Sequence, residues 1–216
     1  MNVVTNGLKH ELMKRATLRQ RSICESMGVK IQLTQEKLLE VAYTVGIRHG
    51  IDLAQGRIDK LLADKSETMQ KEISGGKAEF VCAAVWNAEY VPFTLGLNHK
   101  SPDLKLPDGR KAEVKSRPQR MLMFIDRFPH ETADLIILCT DGYNWSGNEV
   151  EIIGTITRER AMKLYNENPQ AHTKDFGRGL GPQPVWYENE LDQLPPFTPF
   201  DVNRLFLVGF KVLKGN

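Results

Sequence analysis

Leu106-Pro107-Asp108-Gly109 is the segment that most restricts how this chain can fold. Proline holds φ near the value needed at the second position of a type I turn. Glycine at the fourth position accepts the left-handed conformation that closes a three-residue hairpin loop as a bulge. The flanks, KSPDLKL before and RKAEVKS after, then read as the two arms of a short hairpin, Leu104–Leu106 and Ala112–Ser116. With Pro107 to Gly109 as the loop, Leu106 faces Arg110, and counting back places Asp103 opposite Glu113. Residues directly opposite share a face with Cβ atoms roughly 4.5–5.5 Å apart, and Lys115, two residues beyond Glu113, points the same way. Like charges so placed destabilise a sheet unless something cationic lies between them. A two-residue loop would instead set Asp103 against Val114 and turn its carboxylate to the opposite face.

A third acid precedes the hairpin. Ile73–Glu89 reads as a helix, and around Glu79 it is apolar on almost every side (GGKAEFVCAAVW), the pattern of a buried helix. A glutamate there must be metal-bound, paired or neutralised. Each of these residues also has an ordinary reading. Glu79 can be a capping or salt-bridged residue, Asp103 a turn-edge aspartate, and Glu113 with Lys115 an exposed cross-strand pair.

Taken together, Pro102-Asp103, a short gap and Glu113-Val114-Lys115 resemble the signature of the PD-(D/E)xK nuclease superfamily, which spans restriction endonucleases, recombination nucleases and junction resolvases. The resemblance covers roughly residues 73–157. It implies an α/β, restriction-endonuclease-like mixed central β-sheet flanked by helices. It also implies a DNA-cleaving phosphodiester hydrolase, with endonuclease action expected, that uses Mg²⁺, with Mn²⁺ able to substitute. In that reading Asp103, Glu113 and the main chain of Val114 hold the cation. Lys115 activates water, and Glu79 serves a second cation or a cation-bound water. Ser116, Arg117 and Gln119 follow directly, and with Lys100 and Lys105 they are the expected contacts to nucleic acid. Asp103-Leu104-Lys105 is a competing acid-x-lysine triplet. Glu113 and Lys115 are preferred because the apolar strand Leu135–Leu138 follows them. The alternative function is a catalytically inactive nucleic-acid-binding module on the same fold.

Charge agrees with a polyanionic partner only locally. The net charge is +2, yet residues 100–127 hold eight Lys/Arg against four Asp/Glu, and Lys14, Arg15, Arg19 and Arg21 lie close together. Clustered basic charge is the footprint of a phosphate-backbone binder, and equally of a solvated helix face. No apolar run reaches membrane-spanning length, and no basic-then-apolar leader is evident, so a cytoplasmic protein is expected. Cys24, Cys82 and Cys139 are odd in number and far apart in sequence, and they read as reduced thiols. The five histidines show no metal-ligand spacing, and a homodimer is left open.

Along the chain, residues 1–66 read as a helical N-terminal region packed on a core of residues 67–216. Residues 7–26 form its first helix, and Thr34 N-caps a second with apolar spacing at Leu38, Val41, Ala42 and Val45. Gly46 and Gly50 leave the stretch after it open, before a third near residues 53–63. In the core, strands are expected at Asp134–Cys139 and Val150–Ile156, then a short helix at Arg158–Asn166. The proline-rich last fifty residues are read as loops, with Leu205–Val212 as a closing strand.

Overall fold

The computed structural model describes residues 28–54, 65–90, 102–118, 120–123, 133–142, 144, 146–176, 181–195 and 197–213. Among these residues ten strands and four α-helices follow in the order β1 (Val29–Leu33), α1 (Gln35–Ala54), α2 (Lys65–Trp86), β2 (Glu89–Tyr90), β3 (Leu104–Lys105), β4 (Lys111–Ser116), β5 (Met121–Met123), β6 (Leu135–Thr140), β7 (Glu149–Thr157), α3 (Arg158–Glu167), β8 (Thr173–Asp175), β9 (Pro182–Tyr187), α4 (Pro199–Leu207) and β10 (Phe210–Leu213). Seven strands make one mixed sheet in the order β10-β1-β7-β6-β4-β3-β2, and β5, β9 and β8 make a smaller one. The protein is therefore of the α/β class. Within the large sheet β4 and β6 are parallel and the other neighbours antiparallel.

β6 is buried at all six positions, which explains why LIILCT carries no polar alternation: both faces of the sheet are covered. Ile137 and Cys139 pack with Val41, Val45, Ala78, Val81 and Cys82 of α1 and α2. Ile136 and Leu138 pack on the other side with Leu122, Ile153, Ala161 and Trp186. The Trp186 indole N–H donates to the Ala161 carbonyl at 3.2 Å, so the ring is buried with its one donor satisfied.

The hairpin loop is the three-residue one. Gly109 N–H donates to the Leu106 carbonyl at 2.9 Å, Leu106 N–H to Arg110 at 2.8 Å, and Gly109 has φ +88°. Leu104 pairs with Ala112 and Lys105 with Lys111, the register expected. The Asp108 side chain accepts from the Arg110 amide at 3.0 Å and steadies the turn.

Other expectations are corrected. The stretch before residue 66 is not purely helical: β1 lies inside the large sheet between β10 and β7, and α2 begins at Lys65 and runs across the expected boundary. Helix α1 passes through Gly46 and Gly50 without interruption. Thr34 does precede it, accepting from Lys37 N–H at 3.4 Å. Glycine is required at Gly76 in mid-helix, where an added Cβ would stand 2.6 Å from Val45 Cγ2. Helix α2 ends at Trp86 rather than Glu89: Asn87 takes φ +50°, Ala88 N–H reaches back to the Ala83 carbonyl at 2.9 Å, and Arg204 caps the Ala84 and Val85 carbonyls at 2.6 and 2.9 Å. The last fifty residues hold β8, β9 and α4 as well as loops. Leu205–Leu207 belong to α4, and the closing strand starts only at Phe210. The expected helix at 7–26 lies outside the described residues, as do Cys24 and residues 55–63 of the expected third helix. Cys82 and Cys139, remote in sequence, are neighbours in the core with sulfurs 3.5 Å apart. Among the described residues no helix is long and apolar enough to cross a membrane.

Candidate functional site

Asp103 occupies the bend one residue before β3 rather than a paired strand position. Its side chain supplies the partner that its backbone does not: Oδ2 accepts the Val114 N–H of β4 at 2.8 Å. Two residues of alternation along β4 put Glu113 and Lys115 on a common face. Glu113 is 7% exposed, and the Lys115 ammonium donates to its carboxylate. Glu79, near the middle of the buried stretch of α2, is 8% exposed. It is not at the helix start and caps nothing. Its Oε2 accepts from the Tyr90 hydroxyl at 2.9 Å and from Arg48 Nη1 at 3.3 Å.

These side chains meet at one cavity of about 320 Å³. Glu79, Asp103, Glu113, Val114 and Lys115 line it, together with Lys71, Ser74, Ser116 and Arg117. Of the expected nucleic-acid contacts, Arg117 reaches the cavity wall, where its Nη1 also donates to the Ser116 carbonyl at 2.8 Å. Lys105 is exposed on β3 and does not line the cavity, so of the competing Asp103-Leu104-Lys105 triplet the acid joins the cluster and the lysine does not. Lys100 and Gln119 lie outside the described residues.

Concentrated negative charge in a partly buried pocket shows in the acidities. Burial, and next the charge of Glu79, push Asp103 up to about 7, while Lys115, the Val114 amide and Arg48 pull in the opposite direction. Burial also raises Glu79, Arg48 and the Tyr90 hydroxyl offset part of that rise, and the charge of Glu113 adds to it. Tyr90 is raised by burial and by the adjacent Glu79 carboxylate, so it is a hydrogen-bond donor throughout the physiological range. Burial pulls the Arg48 guanidinium down, but the charges of Glu79, Tyr90, Asp103 and Glu72 outweigh it and the net shift is upward.

Arg48 and Tyr90 are the functional candidates that the sequence reading missed. Val41, Val45 and Arg48 follow at helical spacing, so a charged residue continues the apolar face of α1. That interruption was the available signal. Tyr90 carried none, because only the two-residue strand β2, pairing with β3, brings it beside Glu79.

Among the described residues, no three aspartate, glutamate, histidine or cysteine side chains converge tightly enough to enclose a metal ion by themselves. A fully protein-liganded cage is therefore not the fit. Mg²⁺ takes as few as one or two carboxylates and completes its shell with water, and Asp103 and Glu113 both line the cavity. Asp103 gives one oxygen to a backbone amide, and Glu113 accepts from the Lys115 ammonium through Oε1. The chain matches no family model and no curated protein.

Proposed function

We propose that the protein is a metal-dependent nuclease of the PD-(D/E)xK type, hydrolysing phosphodiester bonds in DNA on a restriction-endonuclease-like sheet. The observation that carries this reading is that Glu79, Asp103, Glu113 and Lys115, drawn from a helix, a bend and a strand, line one cavity. Charged side chains are seldom brought together in a partly buried pocket without a task, since each brings a desolvation cost. A Mg²⁺ held by Asp103, Glu113 and the main chain at Val114, with Mn²⁺ able to replace it, would neutralise phosphate charge and acidify a bound water. Lys115 then serves as the general acid–base partner of the attacking water or as a counter-charge to the phosphorane. Its contact with Glu113 keeps it at the cavity wall. Arg117 and Ser116 bind flanking phosphate oxygens, and exposed Lys105 adds a contact to the backbone outside the cavity.

Incubating supercoiled plasmid with the protein in Mg²⁺, in Mn²⁺ and in EDTA tests the reading. Nicking or linearisation that EDTA abolishes is expected, as is loss of at least about 100-fold in rate in Asp103→Ala, Glu113→Ala and Lys115→Ala. Lys105→Ala should weaken DNA binding while retaining cleavage. Full activity in Asp103→Ala or Glu113→Ala would overturn the site. DNA binding with no cleavage in either metal would leave a binding module instead.

A further inference from the structure

Two glycines follow one another in the middle of α2, and packing explains only the second. Gly76 lies against α1, where a Cβ would stand 2.6 Å from Val45 Cγ2. At Gly75 a Cβ would meet nothing within 4 Å. Glycine in a helix interior is less stable than alanine, because it surrenders more backbone freedom on folding. The helix therefore carries a cost at Gly75 that no contact within the protein offsets. The other local reasons for a glycine are absent as well. Its φ is not positive, and α2 runs unbroken through it from Lys65 to Trp86. Nor is it a hinge: Ser74 Oγ donates to Asp141 Oδ2 at 2.6 Å and Lys77 Nζ lies 2.8 Å from the same oxygen, so both flanks are clamped to one buried carboxylate.

What Gly75 does face is the cavity of the acid cluster. It lines that cavity together with Glu79, about one turn further along α2, and Lys71, about one turn back. Residues at this spacing share a helix face, so a cation and an acid flank a patch of bare main chain. Asp103, Glu113, Lys115 and Arg117 line the same cavity. Glycine lets a ligand come closer to the main chain than any side chain would allow. We infer that Gly75 is the point of closest approach between α2 and the reacting strand: the sugar–phosphate backbone lies against bare helix there, beside Lys71, as it enters the acid cluster. This rests on the nuclease reading above and adds to it the wall of the cavity that the substrate touches. The held flanks keep that wall rigid, so the room is present before the strand arrives.

The test uses the full chain and sets stability against cleavage. Gly75→Ala meets no atom of the protein and gains helix propensity, so its melting temperature should rise by about 2–4 °C. Its cleavage of plasmid at subsaturating DNA should nevertheless fall at least about tenfold, and that of Gly75→Leu at least about 100-fold. Gly46→Ala is the matched control: Gly46 also sits inside a helix with nothing within 4 Å of a Cβ, but it does not line the cavity. It should gain the same stability and cleave at the parent rate. Calorimetric Mn²⁺ affinity in Gly75→Ala should stay within about threefold of the parent's. Parent-rate cleavage by Gly75→Ala would overturn the inference, as would a lowered melting temperature, a Gly46→Ala control that slows in step, or Mn²⁺ affinity that falls along with cleavage. A parent protein that leaves plasmid intact in both Mg²⁺ and Mn²⁺ would instead strike the nuclease reading. Duplex affinity by fluorescence anisotropy then decides the approach by itself: it should fall in Gly75→Leu and hold in Gly46→Ala, and equal affinities would overturn it.

Discussion

Lys77 is fully buried in α2, and removing its charge should be the most damaging single change to stability in the described structure. Its ammonium makes three contacts: Asp141 Oδ2 at 2.8 Å, the Asn144 carbonyl at 2.8 Å and the Gly147 carbonyl at 3.0 Å. The Asp141 side chain is only 2% exposed, and it also accepts from Ser74 Oγ at 2.6 Å. Lys77→Met keeps the length and apolar stem of the side chain but takes the ammonium away from a buried carboxylate and from two loop carbonyls, of which that of Asn144 keeps a second donor, the Gly147 N–H at 2.9 Å. Breaking one partner of a buried ion pair costs about 3–5 kcal/mol. In a chain of this size, each kcal/mol moves the melting temperature by about 2–4 °C, so a fall of about 6–20 °C is expected. Urea unfolding followed by circular dichroism should show a lower midpoint with unchanged m, since the surface exposed on unfolding does not change. The double change Lys77→Met with Asp141→Leu should recover part of the loss, because the carboxylate that had lost its ammonium has gone while the loop carbonyls still lack the lysine donor. A Lys77→Met protein whose urea midpoint matches the parent's would refute the argument that this pair ties α2 to the loop after β6.

Three further outcomes follow from particular contacts. Gly76→Val should destabilise by about 1–3 kcal/mol in the same urea assay, because its Cβ would meet Val45 Cγ2 at 2.6 Å at the α1–α2 crossing. At Gly109 there is open space but φ is +88°, so Gly109→Val should cost about 1–3 kcal/mol and Gly109→Asn clearly less; equal melting temperatures would contradict the backbone account. The folded-state pKa of Asp103 lies above its ordinary value, so between about pH 4 and 7 the folded chain binds more protons than the unfolded one. In EDTA, stability should therefore fall as pH rises through that window. Asp103→Asn should flatten the slope in pH-dependent melts.

The hairpin was legible in the sequence because its determinants are local. Proline, aspartate and glycine in four consecutive residues select one loop length, and loop length sets register, so the placement of Asp103 near Glu113 followed by counting. Thr34 before α1 and the apolar run of β6 were legible for the same reason, as cap chemistry and two-sided burial leave short-range signatures. The Leu205–Val212 run was ambiguous, since apolar residues in succession suit a strand or a buried helix turn. Thr198 and Asp201 form a capping box that starts α4 with Pro199 in its first turn, and Gly209 at φ +89° ends the turn that follows it, where a Cβ would stand 2.8 Å from Lys37 Cγ. The capping residues were visible in the sequence; the close approach of Lys37 was not. Only the tertiary structure decided that β1 enters the sheet between β10 and β7, that Cys82 meets Cys139, that Lys77 finds Asp141, and that Arg48 and Tyr90 close on Glu79. In the last three the partners stand 57, 64 and 11 to 31 residues apart in the sequence. Such pairings have no periodicity to betray them. They arise when helices and strands are packed to bury their apolar faces, which carries the buried charges to partners remote in sequence.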